Sequence, residues 1–459
     1  MLATYTEQLA DFAFSLKLDD IPADVRAKSA LLLLDAIGVA LYNSDKPFVR
    51  MMGNEVERTV KDGACTVIGG RSRFVAEGAA MLNSAAIHGN DFDATHVPAI
   101  MHTSAVIVPA ALAAAEETAC SGAEFVTASV AGCEMLIRMG LATQGSMHRL
   151  GFQSTALCAP IVLALMIGRI YRMPLEQTVA AAGLAASMAA GLRAFSDDGT
   201  WGKRIITGWA CRAAFLAIGF AREGYPGTRD VLEKQPFGFY KAFVQNGAYR
   251  LEELVKDLGR EWHTRDVDVK LYPCSHGHHA FVNTARRARR ELNLKPEDIA
   301  SVQLHVSGEA RKWWFEPRDR KYDLPDIYGS RFSMPYTTAL TLVFGELRDE
   351  YLDSRTYLDD PRVRALVARV MPKIDDNLSN ANPNRLPGSM EITTLDGVTT
   401  LFEGEGHVEG GLALQQAVHE KFLANTVRLN AKRIGEIVAL AGAVETQKDL
   451  APLMLLLLS

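Results

Sequence analysis

Cysteine is scarce here and unpaired: six of 459 residues, Cys65, Cys120, Cys133, Cys158, Cys211 and Cys274, with no C-x-x-C spacing. A disulfide scaffold and a cysteine-built zinc site are both excluded, and reduced, buried thiols suit the small-residue stretches around them. Positive charge is not in excess either. Lys and Arg number 49 against 54 Asp and Glu, a net charge of -5, so no basic field exists to gather nucleic acid. Long apolar runs are missing: Leu31–Leu34 and Leu453–Leu458 fall far short of the roughly 20 residues that span a bilayer. The stretch from Met1 to Glu7 lacks the positive flank and apolar run of an export signal. These absences lead us to expect a cytoplasmic protein with neither membrane nor nucleic acid as partner.

What is present is helix. Between Pro22 and Tyr42 the residues Val25, Ala30, Leu33, Leu34, Ile37 and Leu41 recur at helical spacing. Alanine-rich helical patterns follow over Val75–Asn90, Ser104–Ala119, Ala123–Gln144, Ser154–Tyr171, Leu175–Gly191 and Thr207–Glu223, and small residues let such helices pack closely as a bundle. Near Gly259 the texture changes. Val302–Val306 alternates like a strand, and Met390–Leu395 with Val398–Phe402 flank the hairpin turn signal Asp396-Gly397. Pro383, Pro387 and Gly388 read as a loop, and helix returns over Ala413–Leu423 and Ala431–Val444. A chain of this length exceeds the roughly 250 to 300 residues of a single core. The expected fold is mainly α with an inserted α+β domain: a helical domain from 1–258 and 411–459, and a lid domain over 259–410.

Four polar clusters carry the candidate chemistry. His88 to Ser104 packs Asp91, Asp93, Thr95, His96 and His102 into one connector between helices, able to hold a polar substrate and exchange protons with it; its Asp and Thr residues are also ordinary helix caps. Ser196 to Arg204 places Lys203 and Arg204 at a helix start, where an anionic group is favoured. It is no phosphate loop, because Asp197 stands at the first glycine position and Arg204 follows the lysine. Lys270 to His279 gathers Ser275 and His276 beside two further histidines. Without an H-E-x-x-H or a matched cysteine set, these imidazoles suit carboxylates and protons better than a metal ion. Ser330 to Thr337 opens a helix with hydroxyls and offers the Tyr336 phenol.

The order of these motifs resembles the MmgE/PrpD family over almost the whole chain. The resemblance rests on Leu34-Asp35-Ala36-Ile37-Gly38, on Asp91 to His102 followed by Val108 to Glu116, on Gly151-Phe152, on Gly199 to Arg204, on Lys270 to Pro273, and on Ser333 with Tyr336. It implies a helical domain, an inserted lid, a cleft between them, a homodimer, and work on a small anionic polycarboxylate without cofactor or metal. It implies Asp93, His102, Lys203, Lys270 and Tyr336 as catalytic residues. Asp91, Thr95, His96, Gln153, Arg204, Ser275 and His276 are the implied substrate contacts. Many members carry an aspartate where this chain has Ala94 and a histidine where it has Gln153. Glutamine carries no proton near neutral pH, and a leaving hydroxyl must be protonated. The expectation is therefore an epimerase resembling iminodisuccinate epimerase, with a lyase of the family (2-methylcitrate dehydratase or cis-aconitate decarboxylase) as the alternative, and an inactive binding relative as a second.

Overall fold

In the computed structural model, which describes residues 3–245, 247–380 and 386–459, the helices follow the apolar patterns. Ala23–Asn43, Ala76–His88, Ser104–Thr118, Gly122–Thr143, Ser154–Ile170, Leu175–Ala186 and Lys203–Arg222 form a bundle. Its interior is built on alanine, valine, leucine and isoleucine. Contacts are close where side chains are small. A Cβ on Gly208 would stand 2.7 Å from the Met81 carbonyl oxygen, so glycine is what lets Lys203–Arg222 lie against Ala76–His88. Gly122–Thr143 and Lys203–Arg222 are long and apolar enough to cross a membrane, but 94% of the apolar window of the first is buried within the bundle.

Two boundaries depart from the periodicity in ways that matter. The helix expected to reach Gly191 ends at Ala186, and the one expected from Thr207 begins at Lys203. The residues between them, which include the short helix Phe195–Asp198, bring Arg193 against Trp313 of the lid.

A second core gathers Tyr272, Phe281, Val302, Leu304, Tyr336, Leu340, Val370, Met390, Ile392 and Phe402. It packs the helices His279–Glu291 and Met334–Phe344 against a four-stranded mixed sheet of β3 (Ile299–Val306), β4 (Val370–Ile374), β5 (Pro387–Thr394) and β6 (Thr399–Glu405), in the order β4-β3-β5-β6. A two-stranded pair, β1 (Asp62–Thr66) and β2 (Arg73–Phe74), lies in the bundle. β5 and β6 are the expected hairpin, turning at Gly397 with φ 85°. Pro387 and Gly388, expected in a loop, open β5 instead. Pro387 lies beyond the β3 register, which ends at His305 opposite Ser389, so its missing N–H interrupts no pairing with β3. Pro383 lies outside the described residues.

The tail returns to the bundle. Leu414, Val418 and Phe422 of the helix Leu412–Asn425 enter the first core, and Phe422 lies over Gly38, where a Cβ would be 2.8 Å from its ring. On the same helix, Lys421 bonds Asp35 at 2.6 Å and the Phe92 carbonyl at 2.8 Å, fixing the acidic connector from behind. The segment after Gly259 also packs with the bundle, through Trp262, Val267 and Val269. The two cores therefore meet at residues 270–272, beside Lys270.

Candidate active site

The connector from Gly89 to Thr103 is held in a conformation that open loops seldom adopt. Asp91 and Ile100 both sit at φ 55°, the left-handed region that L-residues enter only when their surroundings require it. Two backbone bridges supply that requirement, Thr95 with Asp268 and His96 with Met101. The His102 N–H also donates to the Thr155 hydroxyl at 2.9 Å.

This geometry aims two buried carboxylates at different partners. Asp91 Oδ1 accepts from Lys203 Nζ at 2.5 Å and Lys270 Nζ at 2.7 Å, and Lys270 reaches the Asp91 carbonyl as well. Burial pushes the Asp91 carboxyl up, but the two ammonium groups outweigh it and hold it well below the usual carboxylate range. Burial lowers Lys203, whose Nζ lies 5.2 Å from the centre of the Phe332 ring.

Asp93 accepts instead from two imidazoles, His102 Nδ1 at 2.9 Å and His88 Nδ1 at 3.1 Å. Burial holds His102 down at about 3, so at neutral pH the ring is uncharged, with Nδ1–H given to Asp93 and Nε2 left as a base. His88, Asp93 and His102 also bring one ligand atom each within 4.8 Å of one another. As they stand, these atoms are joined by direct hydrogen bonds, an arrangement that orients imidazole for proton transfer.

Both clusters back onto one cavity of about 220 Å³ between bundle and lid. Of the sequence candidates, Asp91, Thr95, His102, Gln153, Lys270, Ser275 and His276 line it, together with an apolar wall that includes Trp313, Trp314 and Phe332. Lys203 and Asp93 stand directly behind, bonded to Asp91 and His102. The Gln153 side-chain oxygen caps the following helix through the Ala156 N–H at 2.7 Å.

Three sequence candidates lie elsewhere. Arg204 is clamped by Phe48, Trp201 and Tyr328 at 4.0–4.5 Å, with Nε on the Gly89 carbonyl, so it braces the start of the connector. His96 turns towards His263 and accepts from the Ala99 N–H. The Tyr336 hydroxyl accepts from Arg364 within the lid and does not reach the cavity wall.

Among the wall residues that escape the sequence reading are two polar ones, His148 and Arg193. Gln153 N–H bonds the Gly191 carbonyl and Arg193 N–H the Gly151 carbonyl, placing Arg193 beside Gln153. Its guanidinium donates to the His148 carbonyl at 2.9 Å and lies 5.6 Å from the Trp313 ring centre. Burial brings its pKa down to about 10, still cationic at neutral pH. The lone signal in the sequence is an arginine after an alanine-rich helix. Two lysines against one aspartate leave one surplus positive charge at one part of the wall, and Arg193 adds a second, so the cavity suits a molecule with more than one carboxylate.

Comparison with known proteins agrees with this architecture. Residues 7–252 match the model of the MmgE/PrpD N-terminal domain, and residues 272–441 that of the MmgE/PrpD C-terminal domain. The cis-aconitate decarboxylase of Aspergillus terreus (strain NIH 2624 / FGSC A1156) is 29% identical over 473 residues, covering 98% of this chain and 95% of that one. A cis-aconitate decarboxylase-like protein of Aspergillus oryzae is 32% identical over 312 residues, covering 65% and 64%. The human cis-aconitate decarboxylase is 23% identical over 475 residues, covering 100% and 95%.

Proposed function

The chain belongs to the MmgE/PrpD family, and from that membership and the cavity we propose that it is a lyase removing a carboxylate from a small polycarboxylate such as cis-aconitate. The epimerase reading rested on the acid and imidazole replaced by Ala94 and Gln153. It gives way because relatives along nearly the whole chain are decarboxylases, and because the cavity retains three imidazoles, His102, His148 and His276. Loss of one at position 153 leaves the site able to move protons.

In the reaction, the bond between carbon and a carboxylate breaks, CO₂ departs, and the electron pair left on carbon takes up a proton. Lys270, with Lys203 behind Asp91, and Arg193 anchor the carboxylates that stay, and neutralise charge as it spreads towards them. The departing carboxylate lies against Trp314 and Phe332, where poor solvation favours its conversion to neutral CO₂. His102 is uncharged in the empty cavity, but a bound polyanion raises its basicity. It then holds the proton that the carbon receives, with Asp93 stabilising the imidazolium. The observation that carries this reading is the His102–Asp93 pair on the same wall as Lys270 and Arg193. A second copy of the chain belongs to the proposal as partner, tested by molar mass in solution.

Proton NMR in deuterated water with cis-aconitate, 2-methylcitrate and iminodisuccinate, alongside CO₂ measurement, tests it. Release of CO₂ with one deuterium in the product supports the decarboxylase. Loss of water marks a dehydratase instead. Deuterium entering with inversion, with neither CO₂ nor water lost, overturns the lyase reading.

A further inference from the structure

Each decarboxylation consumes a proton, and behind His102 on the cavity wall Asp93 and His88 have no exposed surface through which to draw one. Another cavity imidazole has an outward connection. His276 lines the cavity, and its Nε2 lies 3.1 Å from Asp268 Oδ2. The same oxygen lies 3.1 Å from Nδ1 of His407, whose side chain is 32% exposed. We propose that His407, Asp268 and His276 form a proton-delivery path from solvent to the cavity, a proposal that rests on the lyase reading.

One carboxylate oxygen thus joins a surface imidazole to a cavity imidazole. Asp268 is 3% exposed and fixed by paired backbone hydrogen bonds to Thr95 in the acidic connector, so the path is anchored to the same loop as Asp91 and Asp93. Both His276 nitrogens, both Asp268 carboxylate oxygens and His407 Nδ1 are buried without an aligned hydrogen bond, so the three groups meet at contact distance with their polar atoms uncommitted to other partners. The charges set the direction. Asp268 raises His407 above the ordinary histidine range, with Glu405 adding to and Lys28 of the Ala23–Asn43 helix opposing that effect, while burial lowers His276. The resting proton therefore sits at the outer end, and a bound polyanion draws it inward. In one passage, His407 gives its Nδ1 proton to Asp268, Asp268 passes one to His276 Nε2, and His276 releases its Nδ1 proton to the cavity. Each ring is then left with only its Nε2 proton; the rings turn over, and His407 takes a replacement from water at its vacant nitrogen. One proton enters, one leaves, and no electrons are exchanged.

The test compares the first turnover with the steady state in the full-length enzyme carrying His407→Ala or Asp268→Asn. The expected result is near wild-type formation of about one product per site, followed by turnover slowed roughly tenfold to hundredfold. In His407→Ala the slow phase recovers as imidazole or methylamine buffer is added. An unchanged steady state in both variants overturns the path, and so does a slow first turnover that buffer leaves unaffected, which marks a structural role. If the wild-type enzyme releases CO₂ from no polyacid, the lyase reading falls separately. Deuterium wash-in to a bound polyacid then reads the same path: slower in His407→Ala upholds it, equal overturns it.

Discussion

The bundle and the lid contribute unlike materials to the cavity. The bundle wall is charged: Asp91 with Lys203, Asp93 with His102, and Arg193, all fixed by helix ends or by the bridged connector. The lid wall sets the aromatic rings Trp313, Trp314 and Phe332 beside Lys270, Ser275 and His276. Trp313 and Trp314 close the helix Gly308–Trp314, and a Cβ on Gly277 would fall 2.0 Å from the Trp314 ring. The bundle holds the His102–Asp93 and Asp91–Lys203 pairs, and the lid adds an apolar cover to the polar groups of its own, Ser275 and His276. Loss of a charged bundle residue should therefore act on folding or chemistry, and loss of an aromatic lid residue on binding.

Asp91→Ala tests this most severely. It leaves the Lys203 and Lys270 charges buried together without a counter-charge, and we expect a loss of about 3–5 kcal/mol in denaturant unfolding, along with activity. His102→Gln removes a ring that is neutral in the fold, so stability should change little while kcat falls by roughly 10²–10⁴. Equal stability losses in the two variants would erase the distinction between the two carboxylates. On the lid side, Trp313→Ala removes the ring beneath Arg193 and beside His148. KM should rise roughly tenfold with kcat within about threefold; a fall in kcat alone would place the Trp313 ring in the chemistry.

Acid titration separates the regions further. Burial holds both His102 in the bundle and His278 in the lid at about 3, against about 6.5 when unfolded. Between those values the unfolded chain binds the extra proton. Stability is therefore full above about pH 6.5 and falls as pH drops, by up to about 1.4 kcal/mol per pH unit for each ring. Asp91 and Asp93, held low, add their loss only below about pH 4. His278→Gln should flatten the decline between pH 6.5 and 4 in denaturant unfolding and leave turnover intact. A slope unchanged by the substitution would mean that His278 is protonated in the fold.

Legibility in the sequence follows the same division. The bundle could be read because apolar periodicity and a dense polar connector are local signals: Asp91, Thr95 and His102 fall within twelve residues and reach the cavity as expected. Arg193 and His148 could not, since their place depends on hydrogen bonds between Gly151–Gln153 and Gly191–Arg193, about forty residues apart. Trp313 and Trp314 read as any buried aromatic pair would. Arg204 misled because a cation at a helix start looks the same whether it faces a ligand or three aromatic rings.

Tyr336 yields the smallest expected effect and the finest test. Its place in the Ser333-x-x-Tyr336 pattern suggests a phenol donor, yet its side chain is buried in the lid core and its hydroxyl pairs with Arg364, which also bonds Asp323. Tyr336→Phe should remove one hydrogen bond, costing about 1 kcal/mol in unfolding, with kcat and KM within about twofold of wild type. A catalytic phenol would instead show a loss of kcat near that of His102→Gln. That outcome would require the Met334–Phe344 helix to turn its first residues inward when substrate is bound, so that the phenol reaches the cavity. Equal kinetics in Tyr336→Phe and wild type would leave proton transfer to the imidazoles on the cavity wall.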